Sequence, residues 1–271
     1  MKTKLVVLVM LCTLPLVAAA QGSTPDRISI PLSNPDRPAM LNVGLVTGGI
    51  SVKAYNGKEI IVDVKQQVDE DVREQTKDGL RRIPNTSSGL RVEEDNNEVT
   101  VSTGYRGMNS RKHLVIQVPV HTSLKLSTVN DGDIDVEGVN GEIEVNNTNG
   151  SVLLRNISGS AVAHALNGDL LATFVSVTPN KSMSFSSLNG KIDVTFPPSI
   201  KATLNLKSEQ GDIYTDFDVV MEKSAPKIER EGRGNKRRVI MEKGMRGTIN
   251  GGGPEFLFKN FTGDIFIRKG K

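Results

Sequence analysis

The chain is short of the residues that most often carry enzymatic chemistry. Its 271 residues include one cysteine, no tryptophan, three histidines and 4% aromatic residues. The cysteine, Cys12, falls within the first twenty residues, which read as a cleaved leader, so the rest of the chain has neither disulfide nor thiol chemistry. His113, His121 and His164 show neither a His-x-x-x-His nor a His-Glu-x-x-His spacing, which excludes the helical zinc motifs. No Gly-x-Ser-x-Gly context marks a hydrolase nucleophile. Charge of one sign is missing too. The net charge of +3 falls to about +1 once Lys2 and Lys4 leave with the leader, so there is no general attraction to nucleic acid. Few aromatics and no tryptophan suit a narrow core of aliphatic layers.

What the chain has is glycine at a fixed interval. Gly132, Gly141, Gly150, Gly159 and Gly168 recur every nine residues, and a short fixed period marks a repeat architecture. The residue before each glycine is Asp131, Asn140, Asn149, Ser158 or Asn167, and such pairs supply the positive φ of a tight corner. Two and four residues after each glycine the chain is apolar: Ile134 and Val136, Ile143 and Val145, Val152 and Leu154, Ala161 and Ala163, Leu170 and Ala172. Apolar residues two apart share one face of a strand. One unit is therefore a turn plus a short strand, two units make an eighteen-residue coil, and stacked coils bury what one unit cannot. Gly190, Gly211 and Gly263 continue the pattern in coils of about 18–22 residues, and Leu45 to Val52 reads as an early copy. The expected fold is an all-β, single-stranded β-solenoid with two polar excursions.

The first residues, Met-Lys-Thr-Lys followed by an apolar run from Leu5 to Val17 and then Ala18-Ala19-Ala20, have the layout of a secretory signal. The run is too short for a membrane span. The expected organisation is a signal peptide over 1–20, a proline-rich lead-in over 21–40 and a solenoid over 41–271. The excursions fall at about 66–112 and 221–247. Gln66 to Arg82 reads as a short helix or a solvated excursion, and Arg91 to Thr103 as a hairpin turning at Asp95-Asn96-Asn97. The segment from Gly251 to Phe266 reads as the final rung, its phenylalanines filling the coil near the cap.

Several segments together resemble a known family. They are Val118-Pro119, Leu124-Lys-Leu126, Asn130-Asp-Gly-Asp-Ile-Asp-Val136, Ser187-Leu-Asn-Gly-Lys-Ile-Asp-Val194, Phe196-Pro197 and Gly263-Asp-Ile-Phe-Ile267. From roughly Leu41 to Lys269 the chain resembles the bacterial putative-adhesin, β-strand-repeat proteins, the DUF4097-like group. The resemblance implies a β-solenoid exported to the envelope, with no catalytic residues to carry over.

Calcium-binding β-rolls also repeat every nine residues, but they need Asp where this chain has Ile134, Ile143, Val152, Ala161 and Leu170. The carboxylates here stand one residue off, and a one-residue slip moves them to the other face. Asp131, Asp133, Asp135, Glu137, Glu142 and Glu144 are therefore expected on a solvated outer face. The pair of carboxylates a glycosidase needs has no second signal to single it out. No catalytic, cofactor or metal site is expected. The remaining candidate is the stretch from Lys223 to Arg246, with nine Lys or Arg against Glu229, Glu231 and Glu242. It centres on Arg233, Lys236, Arg237 and Arg238, a possible contact for an anionic partner. The reading is a non-enzymatic exported protein of the periplasm or cell surface with a β-solenoid interaction surface suited to adhesion, whose partner is an envelope protein or polysaccharide. The alternative is a periplasmic sensing or scaffolding module that uses the basic segment. After signal cleavage no transmembrane helix is expected.

Overall fold

The computed structural model describes residues 26–66, 76–77, 80–81, 89–103, 111–222, 227–230, 237–240 and 244–271. The leader and Arg233 and Lys236 lie outside the described residues, as do the side chains of Arg237 and Arg238. Alternation of buried and exposed residues runs through the strands, as in Met183–Asn189 and Ile192–Phe196. Each strand thus gives alternate side chains to the interior and to water.

The parallel strands stack as two faces. Face A is built from β7 (Glu98–Thr103), the first half of β2 (Ala39–Tyr55), β9 (Thr122–Asn130), β11 (Asn140–Asn149), the second half of β12 (Val152–Asn167), β14 (Met183–Asn189), β22 (Glu255–Thr262) and β16 (Ala202–Gln210), in that spatial order. Face B follows the same order. It has β8 (Lys112–Pro119), the rest of β2, β10 (Ile134–Glu137), the first half of β12, β13 (Leu170–Val177), β15 (Ile192–Phe196), β23 (Ile265–Lys269) and β17 (Ile213–Thr215). One strand of each face makes a coil. Because β2 and β12 run from one face to the other, the whole is a single 19-stranded sheet. This is the β-solenoid that the glycine period implies. Register partners such as Ile134 and Val152, or Val152 and Leu170, stand eighteen residues apart, and Leu170 and Ile192 stand twenty-two apart.

Spatial order departs from chain order at both ends. The first long strand, β2, lies between the coil of β7–β8 and the coil of β9–β10. The last pair, β22–β23, lies between β14–β15 and β16–β17. The C-terminal segment is therefore the penultimate rung and not the final one. Phe256 and Phe258 enter the core, whereas Phe261 and Phe266 point outward. The lead-in contributes β1 (Asp26–Pro31), antiparallel to β3 (Glu59–Gln66), which is antiparallel to β8. Each excursion also returns strands to the body. The expected hairpin forms, with β6 (Leu90–Asp95) antiparallel to β7, and Asn96 and Asn97 turn at positive φ. At the other end β21 (Gly244–Ile249) is antiparallel to β16 and to β18 (Val219–Met221). In the stretch read as helix or excursion, β4 (Thr76–Lys77) and β5 (Leu80–Arg81) pair as short strands, and β19 (Lys227–Arg230) pairs with β20 (Arg237–Ile240).

The glycine ladder divides between the two edges of the rod. Gly141 and Gly159 stack at one corner, and Gly48, Gly132, Gly150, Gly168, Gly190, Gly263 and Gly211 form a column at the other. A Cβ on any member of the column would come within 3.0 Å of the carbonyl group in the coil before it. Gly168 needs no left-handed φ, so close stacking, more than turn geometry, is what selects glycine there. The column begins at Lys112, register partner of Gly48. There β3 stands in place of an earlier coil, with Gln66 as register partner of Lys112, and this member carries a side chain. Burial pushes the Lys112 ammonium below its ordinary range.

Inside this corner, side chains serve the glycine carbonyls. Thr128 donates to Gly48 O at 2.7 Å, Asn147 to Gly132 O at 3.0 Å, Ser187 to Gly168 O at 3.2 Å and Asn260 to Gly190 O at 2.9 Å. Ala165 occupies the same register between Asn147 and Ser187 but has no donor. Ala165→Ser is expected to stabilise the fold by about 1 kcal/mol. That should raise the melting temperature by roughly 2–4 °C in a calorimetric scan. A lower melting temperature would mean that the site has no room for the hydroxyl. The alanines also complement their neighbours. Ala161, Ala163 and Ala172 thin one coil, and the next elements fill the space with Phe174, Phe185 and Phe196. Phe174 stacks on Phe196 at 5.0 Å, and Phe185 on Phe258 at 5.2 Å.

Candidate functional site

Every member of the acidic series is engaged by a neighbour. Asp131 pairs with Arg111 at 2.9 Å, Glu137 with Lys53 at 3.3 Å, Glu142 with Lys181 at 2.6 Å, Glu144 with Lys125 at 3.3 Å, and Asp135 with Arg155. Asp133 accepts the backbone N–H of Ser151 at 2.7 Å, and Asp169 and Asp264 accept those of Lys191 and Asp212 in the same way. These carboxylates tie coil to coil. Each exposed ion pair adds roughly 0–1 kcal/mol. Among the described residues no three His, Cys, Asp or Glu side chains converge to hold a metal ion. His164 is half-buried and hydrogen-bonded to Ser186 at 2.7 Å, and His113 lies 3.1 Å from Ser51.

The two outer faces differ. Face B is charged, with Asp135, Glu137, Arg155, Asp193 and Arg268 in adjacent coils. At its end Tyr214 stacks on Phe266 at 5.1 Å, with the Arg268 guanidinium 4.9 Å from the Phe266 ring centre. The carboxylates of Asp212 and Asp264 hold the Tyr214 hydroxyl above its ordinary range. Face A has no outward charge on β14 or the second half of β12, although β11 beside them carries Glu142 and Glu144. On β12, β14 and β22 its outward residues include Val162, His164, Leu166, Ser184, Ser186 and Leu188, with Leu257 and Phe261 beyond.

Register draws part of face A into a line. Val46, Val129, Thr148, Leu166, Leu188 and Phe261 occupy one column over six consecutive coils. Val129, Leu188 and Phe261 are 41%, 39% and 45% exposed. At a strand spacing of about 4.8 Å the stripe is roughly 24 Å long. Along its corner side runs an amide ladder. Asn149 donates to Asn130 Oδ1 at 3.1 Å, Asn167 to Asn149 at 2.9 Å and Asn189 to Asn167 at 2.8 Å. Thr262 Oγ1 lies 2.9 Å from Asn189 Oδ1. The backbone fixes both lines, because the glycine column sets where each strand begins.

The turn glycines singled out by sequence are thus brought together, in two columns. The stripe was not singled out. Its signal was present, since Leu166, Leu188 and Phe261 each stand two residues before a corner glycine.

Stacked parallel coils with inward apolar rungs and engaged carboxylates define an all-β solenoid of the stacked-coil class. Residues 47–250 match the family described as Toastrack DUF4097, and the chain belongs to that family. No curated protein matches the chain in sequence. Two solved structures are similar to it. One is described as a "putative cell adhesion protein" from Clostridium sporogenes ATCC 15579, at 15% identity and a TM-score of 0.49, covering 91% of this chain and 100% of that one. The other is described as a "putative adhesin" from Bacteroides fragilis NCTC 9343, at 11% identity and a TM-score of 0.36, covering 91% of this chain and 98% of that one. Among the described residues no helix is long and apolar enough to cross a membrane.

Proposed function

We propose that this chain is a non-enzymatic exported protein that acts by contact, with face A as its adhesive surface at the cell exterior. The observation that carries this reading is the apolar stripe from Val46 to Phe261. An exposed apolar line, broken only at Thr148, on an otherwise well-solvated protein points to an interaction site. The engaged carboxylates agree with it, since groups tied into coil-to-coil pairs are not poised for acid–base work. Export rests on the leader pattern of Met1–Ala20. The partner class is an envelope protein or polysaccharide.

The test combines location and binding. Surface protease should reach the protein on intact cells, and purified protein should bind those cells. Leu188→Asp should weaken that binding at least tenfold, whereas Arg237→Glu with Arg238→Glu should leave it within twofold. Protection from surface protease, or undiminished binding by Leu188→Asp, defeats the adhesive reading. Loss of binding in the arginine variant alone would favour a periplasmic scaffold that contacts an anionic partner through its basic segment.

A further inference from the structure

We infer that the occupant of face A is a second copy of this chain, packed face to face through the stripe. This deepens the reading of face A as the interaction surface and rests on it. Three observations lead there.

The first is charge. A surface that meets its own copy brings every charge against a like set, unless the two-fold axis happens to pair opposites. At the centre of the stripe, on β14 and the second half of β12, no outward residue is charged; the charges stand on either side, with Lys125 on β9 paired to Glu144 on β11 at 3.3 Å, Glu142 on β11, and Glu255 and Lys259 on β22. Face B could not do this, because Asp135, Glu137, Arg155, Asp193 and Arg268 stud its centre.

The second is symmetry within the stripe. With a two-fold axis through Leu166, the coil of one copy meets the same coil of the other. Thr148 then faces Leu188, and Val129 faces Phe261, by equal steps along the register. Val129 and Phe261 therefore oppose one another about a leucine centre, with Leu188 against Thr148. Val162 and Leu257 extend the contact sideways, and both project from the same outer face.

The third is size. The stripe and the two outward columns beside it span roughly 24 Å by 20 Å, at about 4.8 Å per strand and 6.6 Å per outward residue. That is roughly 500 Å² on each copy and about 1,000 Å² in all, the lower bound for a specific interface. Packing two flat faces at about 10 Å is the ordinary geometry of a sandwich. The expected pair is therefore weak and reversible, as contact between copies on opposing surfaces requires.

Sedimentation equilibrium of the purified protein tests this. The wild type should show a monomer–dimer equilibrium in the micromolar range. Leu166→Asp should weaken it at least a hundredfold, because the axis sets two carboxylates against each other, and Leu188→Asp at least tenfold. Val175→Asp, 62% exposed at the opposite corner on β13, should leave it unchanged. Circular dichroism and melting temperature confirm that each variant folds. A wild type that stays monomeric at 100 µM overturns the inference, as does a Leu166→Asp dimer no weaker than that of Val175→Asp. Failure here is separable from failure of the adhesive reading. A monomer that still binds cells through Leu188 keeps face A as the site with another occupant. A dimer that binds no cells keeps the pairing and loses adhesion.

Discussion

Removing the C-terminal rung should abolish cooperative folding. A chain ending at Asn250 lacks β22 and β23, which sit between two other coils. Phe256, Phe258, Ile265 and Ile267 are each 0% exposed. At about 1.5–3 kcal/mol for each buried side chain, their loss removes roughly 6–12 kcal/mol. That is comparable to the whole stability of an ordinary domain, about 5–15 kcal/mol. In a solenoid whose last segment is its end cap, truncation breaks one interface and the remaining stack survives. Here it breaks two. Phe185 and Phe196 lose their aromatic partners on one side, and β16 and β17 lose the rung they dock on from the other, with β21 and β18 attached only through β16. Urea titration followed by circular dichroism should show no cooperative transition for the truncated chain, or a midpoint near zero denaturant. A truncated protein that melts in one transition within a few degrees of the full chain would show that β14–β15 can meet β16–β17 directly.

Gly168→Ala should cost at least about 3 kcal/mol, beyond the usual 1–3 kcal/mol of overpacking, and through close stacking alone, since its φ is not left-handed. The added Cβ meets the carbonyl of Gly150, which is backbone held in register on both sides and cannot rotate away. The control is Gly44→Ala on β2. Its nearest neighbour would be Ser127 Oγ at 3.5 Å, an ordinary contact. That change should be neutral or stabilise by up to about 1 kcal/mol, since glycine within a strand costs roughly that much relative to alanine. Chemical denaturation of both variants decides the matter. If Gly168→Ala loses less than 1 kcal/mol, the coils have slack at the corner and the close-stacking argument fails.

Much of this fold was legible in the sequence because the corner is a local pattern. Asn-Gly-x-apolar-x-apolar contains the turn, the inward side chains and the strand direction within a few residues. The eighteen-residue coil followed from it, and so did the outward placement of the acids. Which coil stacks on which was not legible. Every coil offers the same edge to every other, so nothing near Phe256 says that it belongs beside Met183 and Leu204. The partners of the acids were hidden for the same reason. Lys53 and Glu137 are neighbours only because β2 inserts ahead of β10. At Phe266 the alternation was readable but the assumption of a terminal rung directed it inward, when Ile265 and Ile267 on either side take the inward positions.

The antiparallel strands at the two ends of the stack make the molecule a rod of set length. A parallel coil left open would present a template for the next coil, in this molecule or another. Here β6 carries Glu93, Glu94 and Asp95, β1 ends at Pro31, and β17 is three residues long between Asp212 and Asp216. Short, acidic or proline-bearing edges discourage further strands. Eight coils are therefore where growth stops along the axis. Any meeting of copies then happens across the flank of the rod, as in the pairing inferred for face A, and not by the addition of coils.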